Sequence, residues 1–252
     1  MERYFRGKTV LVTGVGWGVG AATALLYAAY GAKVIISDTC GKEGKNTVAK
    51  IKSKKGDATF IKSDLSSPSE CDKLIKRAIE TYGSIDIACN NSGILSERGH
   101  HADKDMKVVN NEMSLNLNSL FYCMKYEIEA MQKQGGGVIM NMAFVLGPTG
   151  LASLSPYVAA KYGIDELMID TPEEYSARGI RINAVTPAFI NRALFQGKIL
   201  TEKGALVKLF PMHSISKVEK VARLVVWLSS DKAPFVLQSD RSSTVQWKYE
   251  QN

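Results

Sequence analysis

Lys8-Thr9-Val10-Leu11-Val12-Thr13-Gly14-Val15-Gly16-Trp17-Gly18-Val19-Gly20 is the stretch on which the fold turns. Lys8–Thr13 is a short apolar run that stops at a glycine, the pattern of a buried strand. Gly18–Tyr30 is rich in Ala and Leu and reads as a helix. A strand that passes through glycines into a helix offers bare backbone N–H groups and the positive end of a helix dipole to an anion. Gly14 suits the tight turn, and Gly18 and Gly20 suit close approach of a ligand and of the helix. Glycines also occur at ordinary turns, so the context decides.

Outward from this stretch the chain alternates. Ala32–Asp38, Ala58–Asp64, Ile85–Asn90, Val138–Ala143 and Arg181–Val185 read as further strands. Lys42–Lys55, Pro68–Tyr82, Met106–Gln134, a segment around Tyr157, and Val218–Ser229 read as helices, with Ser67 or Ser66 as cap of the second. Strands that are apolar throughout, alternating with helices, predict a parallel sheet covered on both faces. The expected fold class is α/β, a Rossmann-like doubly wound parallel sheet forming a single domain over residues 1–252. Ligands on such sheets bind at the carboxyl ends of the strands.

Composition narrows the function. The 252 residues are 45% hydrophobic and 23% charged, which excludes a disordered chain. The net charge of +7 comes from lysines scattered as on a solvated helix face, Lys42–Lys55 for example. No basic run is interleaved with aromatics, so no nucleic-acid partner is expected. No apolar run approaches the ~20 residues that span a bilayer, so no membrane partner is expected. Met1–Val10 is followed by no signal-peptide core, so no export is expected. The four cysteines, Cys40, Cys71, Cys89 and Cys123, show no CxxC spacing. With only three histidines no metal site is expected, and a reduced, cytoplasmic protein is the simplest reading.

Asp38 ends the second strand, 18 residues after Gly20. A carboxylate there bonds the adenosine ribose hydroxyls and repels a 2′-phosphate. No Arg or Lys follows before Lys42. The expected cofactor is NAD(H), not NADP(H).

The spacing Thr-Gly-x-x-x-Gly-x-Gly from Thr13 to Gly20 resembles the short-chain dehydrogenase/reductase family. Asp64-Leu65, Asn90-Asn91-Ser92-Gly93, Asn116-Leu117, Tyr157-Val158-Ala159-Ala160-Lys161 and Ile182-Asn183-Ala184-Val185-Thr186-Pro187 continue the resemblance, which runs from about Gly7 to about Ser230. It implies catalytic roles for Tyr157, Lys161 and Asn116. It implies cofactor contacts from Gly14, Trp17, Gly18, Val19, Gly20, Asp38, Asp64, Leu65, Asn91, Tyr157, Lys161 and Ile190. It also implies a small-molecule substrate, a lid over it at about 188–216, and a homodimer or homotetramer.

Two residues four apart on a helix share a face. An ammonium beside a phenol favours phenolate, so Tyr157 next to Lys161 suits general acid/base work. In the family this pair exchanges a proton with the substrate while the nicotinamide exchanges a hydride. Lys161 also holds the nicotinamide ribose, and Asn116 keeps a water behind the lysine.

Departures from the family pattern cluster at the same site. Phe144 stands 13 residues before Tyr157, where the family has a serine that bonds the substrate oxygen. Trp17, Ser92, Ala188 and Arg192 replace the residues usual there, and Gln238–Trp247 lacks the glycine-rich ending. Thr171-Pro172-Glu173-Glu174 reads as a fresh N-cap, so the helix after Lys161 is expected to break or kink at Pro172. That helix forms much of the family's subunit interface. Phe189, Leu194, Phe195, Leu206, Leu209, Phe210 and Met212 either line an apolar substrate site or, the more ordinary reading, pack the lid. His213 reads as structural, and His100 and His101 lie in an irregular segment with no third ligand for a metal. The leading function is an NAD(H)-dependent oxidoreductase acting on a secondary alcohol or its ketone. The alternatives are a catalytically impaired NAD-binding sensor or scaffold, and a non-redox enzyme on the same fold.

Overall fold

The computed structural model describes residues 4–16, 18–96, 98–143, 153–187 and 216–237. Its strands are β1 (Thr9–Thr13), β2 (Lys33–Asp38), β3 (Asp57–Lys62), β4 (Ile87–Asn90), β5 (Gly137–Met142) and β6 (Ile180–Val185). They form one parallel sheet in the order β3-β2-β1-β4-β5-β6. The α/β doubly wound fold expected from the alternation is therefore the fold observed. Among the described residues the α-helices are α1 (Gly18–Ala29), α2 (Gly41–Ser53), α3 (Pro68–Tyr82), α4 (Met106–Met113), α5 (Ser119–Gln134), α6 (Ser155–Ser176) and α7 (Val218–Ser229).

Side chains alternate across a strand, and both sides of this sheet are apolar. Leu11, Ile35, Ile61, Ala88, Ile139 and Ile182 face one core, closed by α3, α5 and α6. Val10, Val12, Val34, Ile36, Cys89 and Met140 face the other, closed by α1, α2 and α7. The chain leaves β1 for β2 and β3, then returns to lay β4 against β1. The carboxyl ends of β1 and β4 therefore flank the crevice at the switch point.

Three local expectations need correction. The Met106–Gln134 stretch is not one α-helix: a π-helical turn, Ser114–Asn118, separates α4 from α5. There the Ser119 N–H reaches back to the Ser114 carbonyl, and the Ser119 hydroxyl donates to the Leu115 carbonyl at 2.8 Å. Helix α6 does not break at Pro172 but runs through it, so Thr171 and Glu174 lie within a helix rather than at its start. Proline removes one amide donor. Ile164, Met168 and Pro172 recur four residues apart as a buried stripe, and the packing of Ile164 and Met168 in one core with Ile180 and Ile182 of β6 outweighs that loss. Finally, Ser67 is the N-cap of α3, but its hydroxyl pairs with that of Ser69 at 3.0 Å rather than with the backbone.

Candidate active site

At the crevice the glycine-rich turn fits against the end of β4. Gly14 has φ +65°, and a Cβ there would fall 2.8 Å from Ser92 Cα. A Cβ on Gly20 would fall 2.3 Å from the Gly14 carbonyl oxygen and 2.6 Å from Asn91 Nδ2. Asn91 closes the joint: its Nδ2 donates to the Gly14 carbonyl at 2.8 Å, and its N–H donates to Thr13 Oγ1 at 3.1 Å. Gly18 opens α1, whose N-terminus faces the same crevice, while the Val19 side chain is buried in the core. This cradle has no room for side chains and suits a pyrophosphate.

Asp38 lies at the rim. Its Oδ2 accepts the Gly16 N–H and its Oδ1 the Cys40 N–H, each at 2.9 Å. A carboxylate oxygen has two lone-pair directions, so each oxygen can accept a further hydrogen bond. β3 ends at Lys62, two residues earlier than expected, so Asp64 sits in the turn beyond it. The exposed Asp64 carboxylate accepts the Ser66 N–H at 3.1 Å and hydroxyl at 2.8 Å. The Leu65 side chain is buried among core residues.

Across the switch point, α6 carries Tyr157 and Lys161, both largely buried. Lys161 Nζ donates to the Met142 carbonyl at the end of β5, 2.9 Å away, and lies 5.9 Å from the centre of the Tyr157 ring. One turn further along, Asp165 has a buried carboxylate oxygen with no hydrogen-bond partner among the described residues. Burial pushes its carboxyl up to about 6, against the pull of the Lys161 ammonium. Asn116, in the π-helical turn, is buried and pairs with Ile94 in both directions. Its Oδ1 accepts the Ile94 N–H at 3.0 Å, and its Nδ2 donates to the Ile94 carbonyl at 2.8 Å. A Cβ on Gly93 would lie 2.6 Å from Asn116 Oδ1 and 3.7 Å from Lys161 Nζ, so the three meet at one point. The arrangement places a cation, a phenol and an anion cradle along one edge of the sheet.

Trp17, Phe144, Ala188, Ile190, Arg192, His213, almost all of the 188–216 lid, and Gln238–Trp247 lie outside the described residues. Among the described residues no three His, Cys, Asp or Glu side chains gather as a metal site, and no helix is long and apolar enough to cross a membrane.

The sequence reading missed Glu127. It is fully buried on α5, beneath the ends of β4 and β5. Its Oε2 accepts from Asn90 Nδ2 at 2.9 Å, and the same Nδ2 donates to Asn141 Oδ1 at 3.0 Å. A signal existed: Leu120, Met124 and Met131 are buried at helical spacing, and Glu127 falls in that phase.

The sequence profile of the short chain dehydrogenase family matches residues 8–203. The cyclohexanol dehydrogenase of Acinetobacter sp. (strain SE19) is 36% identical over 239 residues, 95% of this chain and 94% of that protein. The cis-4-hydroxycyclohexanecarboxylate dehydrogenase of Sinomonas cyclohexanicum is 32% identical over 238 residues, 94% of this chain and 95% of its own. The crystal structure of levodione reductase superposes with a TM-score of 0.86 at 27% identity, covering 93% of this chain and 95% of that one. Profile, relatives and fold agree: the chain belongs to the short-chain dehydrogenase/reductase family.

Proposed function

We propose that this chain is an NAD(H)-dependent oxidoreductase that interconverts a small cyclic secondary alcohol and its ketone, with Tyr157 as the acid/base. The observation that carries the reading is the Lys161 ammonium, anchored on the Met142 carbonyl at 2.9 Å beside the Tyr157 ring. Two relatives are named for cyclohexanol and for a hydroxylated cyclohexane acid, which supports a cyclic alcohol. The glycine cradle and Asp38 fit NAD(H). Bound there, the cofactor supplies the hydride acceptor for oxidation and the donor for reduction. The Tyr157 oxygen takes the proton of the substrate hydroxyl in oxidation and returns it to the carbonyl oxygen in reduction. The Lys161 cation stabilises negative charge on that oxygen. Asn116 ties the π-helical turn to the segment after β4 and so closes the wall behind the lysine. The direct test is NADH production with a panel of cyclic alcohols, run beside a titration of NAD binding. Turnover is expected; tight NAD binding without turnover on any alcohol or ketone overturns the reading.

A second reading, an NAD-binding protein without turnover, is favoured by Phe144. If it holds, Phe144→Ser restores a donor to the substrate oxygen. Ketone reduction should then rise by up to ~10²-fold, the scale of one such donor. In an enzyme with its own substrate the same change opens a void, and the rate with that substrate falls. An unchanged rate on every substrate excludes a role for position 144 in either reading.

Asp38 should decide the choice of cofactor. Asp38→Ala removes the ribose acceptor and the repulsion of a 2′-phosphate together. NAD binding should weaken by about tenfold and NADP binding should improve. A wild type that already prefers NADP would overturn this assignment.

A further inference from the structure

Beyond β4, residues 91–96 and 98–105 lie past the carboxyl edge of the sheet and are gripped at two places. Glu112 on α4 is 1% exposed, and among the described residues its carboxylate bonds to Ser96: Oε1 accepts the Ser96 N–H at 3.0 Å and Oε2 the Ser96 hydroxyl at 2.5 Å. Asn116 grips Ile94 through the backbone, accepting from its N–H and donating to its carbonyl. Residues 112 and 116 are four apart and advance about 6 Å along a helix. Residues 94 and 96 advance about 6.6 Å when extended, so the two spacings match. At the far end the Gly99 N–H donates to the Ser153 carbonyl at 3.2 Å, and His101 Nδ1 pairs with Ser155 Oγ at 3.1 Å. Ser155 opens α6 two residues before Tyr157, and Ser153 holds a left-handed φ of 72°. The segment therefore runs along the start of α6, from Ser155 past Tyr157 to Lys161.

Burying a carboxylate is costly unless its hydrogen bonds are met. Glu112 meets that cost with two donors from one residue of this wall. We propose that Glu112 is a positioning residue that holds the Ile94–Ser96 wall and so sets how tightly the substrate is held, a role that rests on the oxidoreductase reading above. It touches no reacting atom, so its removal should act on substrate binding more than on the chemical step.

The test compares Glu112→Ala with Glu112→Gln in the full chain. Loss of charge-assisted bonds in the Ala variant should raise KM for the alcohol about tenfold, with kcat within about threefold and KM for NAD unchanged. The Gln variant should stay close to wild type. Its amide oxygen accepts the Ser96 N–H, and the Ser96 hydroxyl turns to accept from the amide. A second readout needs no substrate: trypsin should cut after the exposed Arg98 faster in the Ala variant than in wild type or Gln. Unchanged KM and unchanged cleavage in the Ala variant overturn the proposal. Absent turnover in the wild type sinks the oxidoreductase reading instead, and cleavage then judges the clasp alone. Should Glu112→Ala not fold, Ser96→Ala takes its place and should raise KM and cleavage by a smaller factor. No change in a normally folded Ser96→Ala also overturns the proposal.

Discussion

Tyr157→Phe should lower kcat by ~10²–10⁴, the range for loss of a positioned general acid/base, while NAD binding stays close to wild type. The ring is largely buried on α6 and keeps its shape as phenylalanine, so its packing survives. The Lys161 ammonium stays on the Met142 carbonyl and still faces an aromatic ring at 5.9 Å. The hydroxyl and its transferable proton are lost. The measurement is steady-state kinetics in both directions with a cyclic alcohol and its ketone, beside an NAD titration. A variant with unchanged kcat would show that the proton moves through another group. A variant that loses NAD binding as well would show that Tyr157 holds the cofactor site together rather than serving the chemistry.

Glu127→Gln should change how stability depends on pH. Burial, opposed by the hydrogen bond from Asn90, pushes the Glu127 carboxyl up from 4.5 to about 7 in the folded protein. Between those values the folded protein holds a proton that the unfolded chain has released. Stability therefore falls as pH rises from about 4.5 to about 7, and stays lowered above that. A gap of this size corresponds to ~3 kcal/mol once both states are fully ionised. Glutamine is neutral at every pH, and its amide oxygen still accepts from Asn90 Nδ2. The variant should gain about 2 to 3 kcal/mol relative to wild type between pH 5 and pH 8 in denaturant titrations. The same difference from wild type at both pH values would mean that Glu127 is not titrating in its buried site.

Parts of the site were legible because local chemistry dictates them. A strand that ends in glycines, a carboxylate at the end of the next strand, and Tyr157 four residues before Lys161 each depend on near neighbours in the chain. The structure sets Gly14, Asn91 and Asp38 around one crevice as that spacing implies. The π-helical turn was not legible. Nothing in Ser114-Leu115-Asn116-Leu117-Asn118 marks it, and Ser119 supports it only once its hydroxyl finds the Leu115 carbonyl. Pro172 misled for the opposite reason. Its local signal, a helix start, is strong, but the stripe Ile164, Met168 and Pro172 is buried in the core and prevails.

Apolar periodicity and glycine placement act over a few residues, so the sheet, the succession of strands and helices, and the glycine turn are legible in the chain alone. The burial of acidic side chains is settled by the assembled fold. Glu127 meets Asn90 across 37 positions, and Glu112 meets Ser96 across 16. Whether a glutamate on a helix faces water or a strand end depends on elements far away in the chain. A carboxylate can stay buried only where such elements bring it donors.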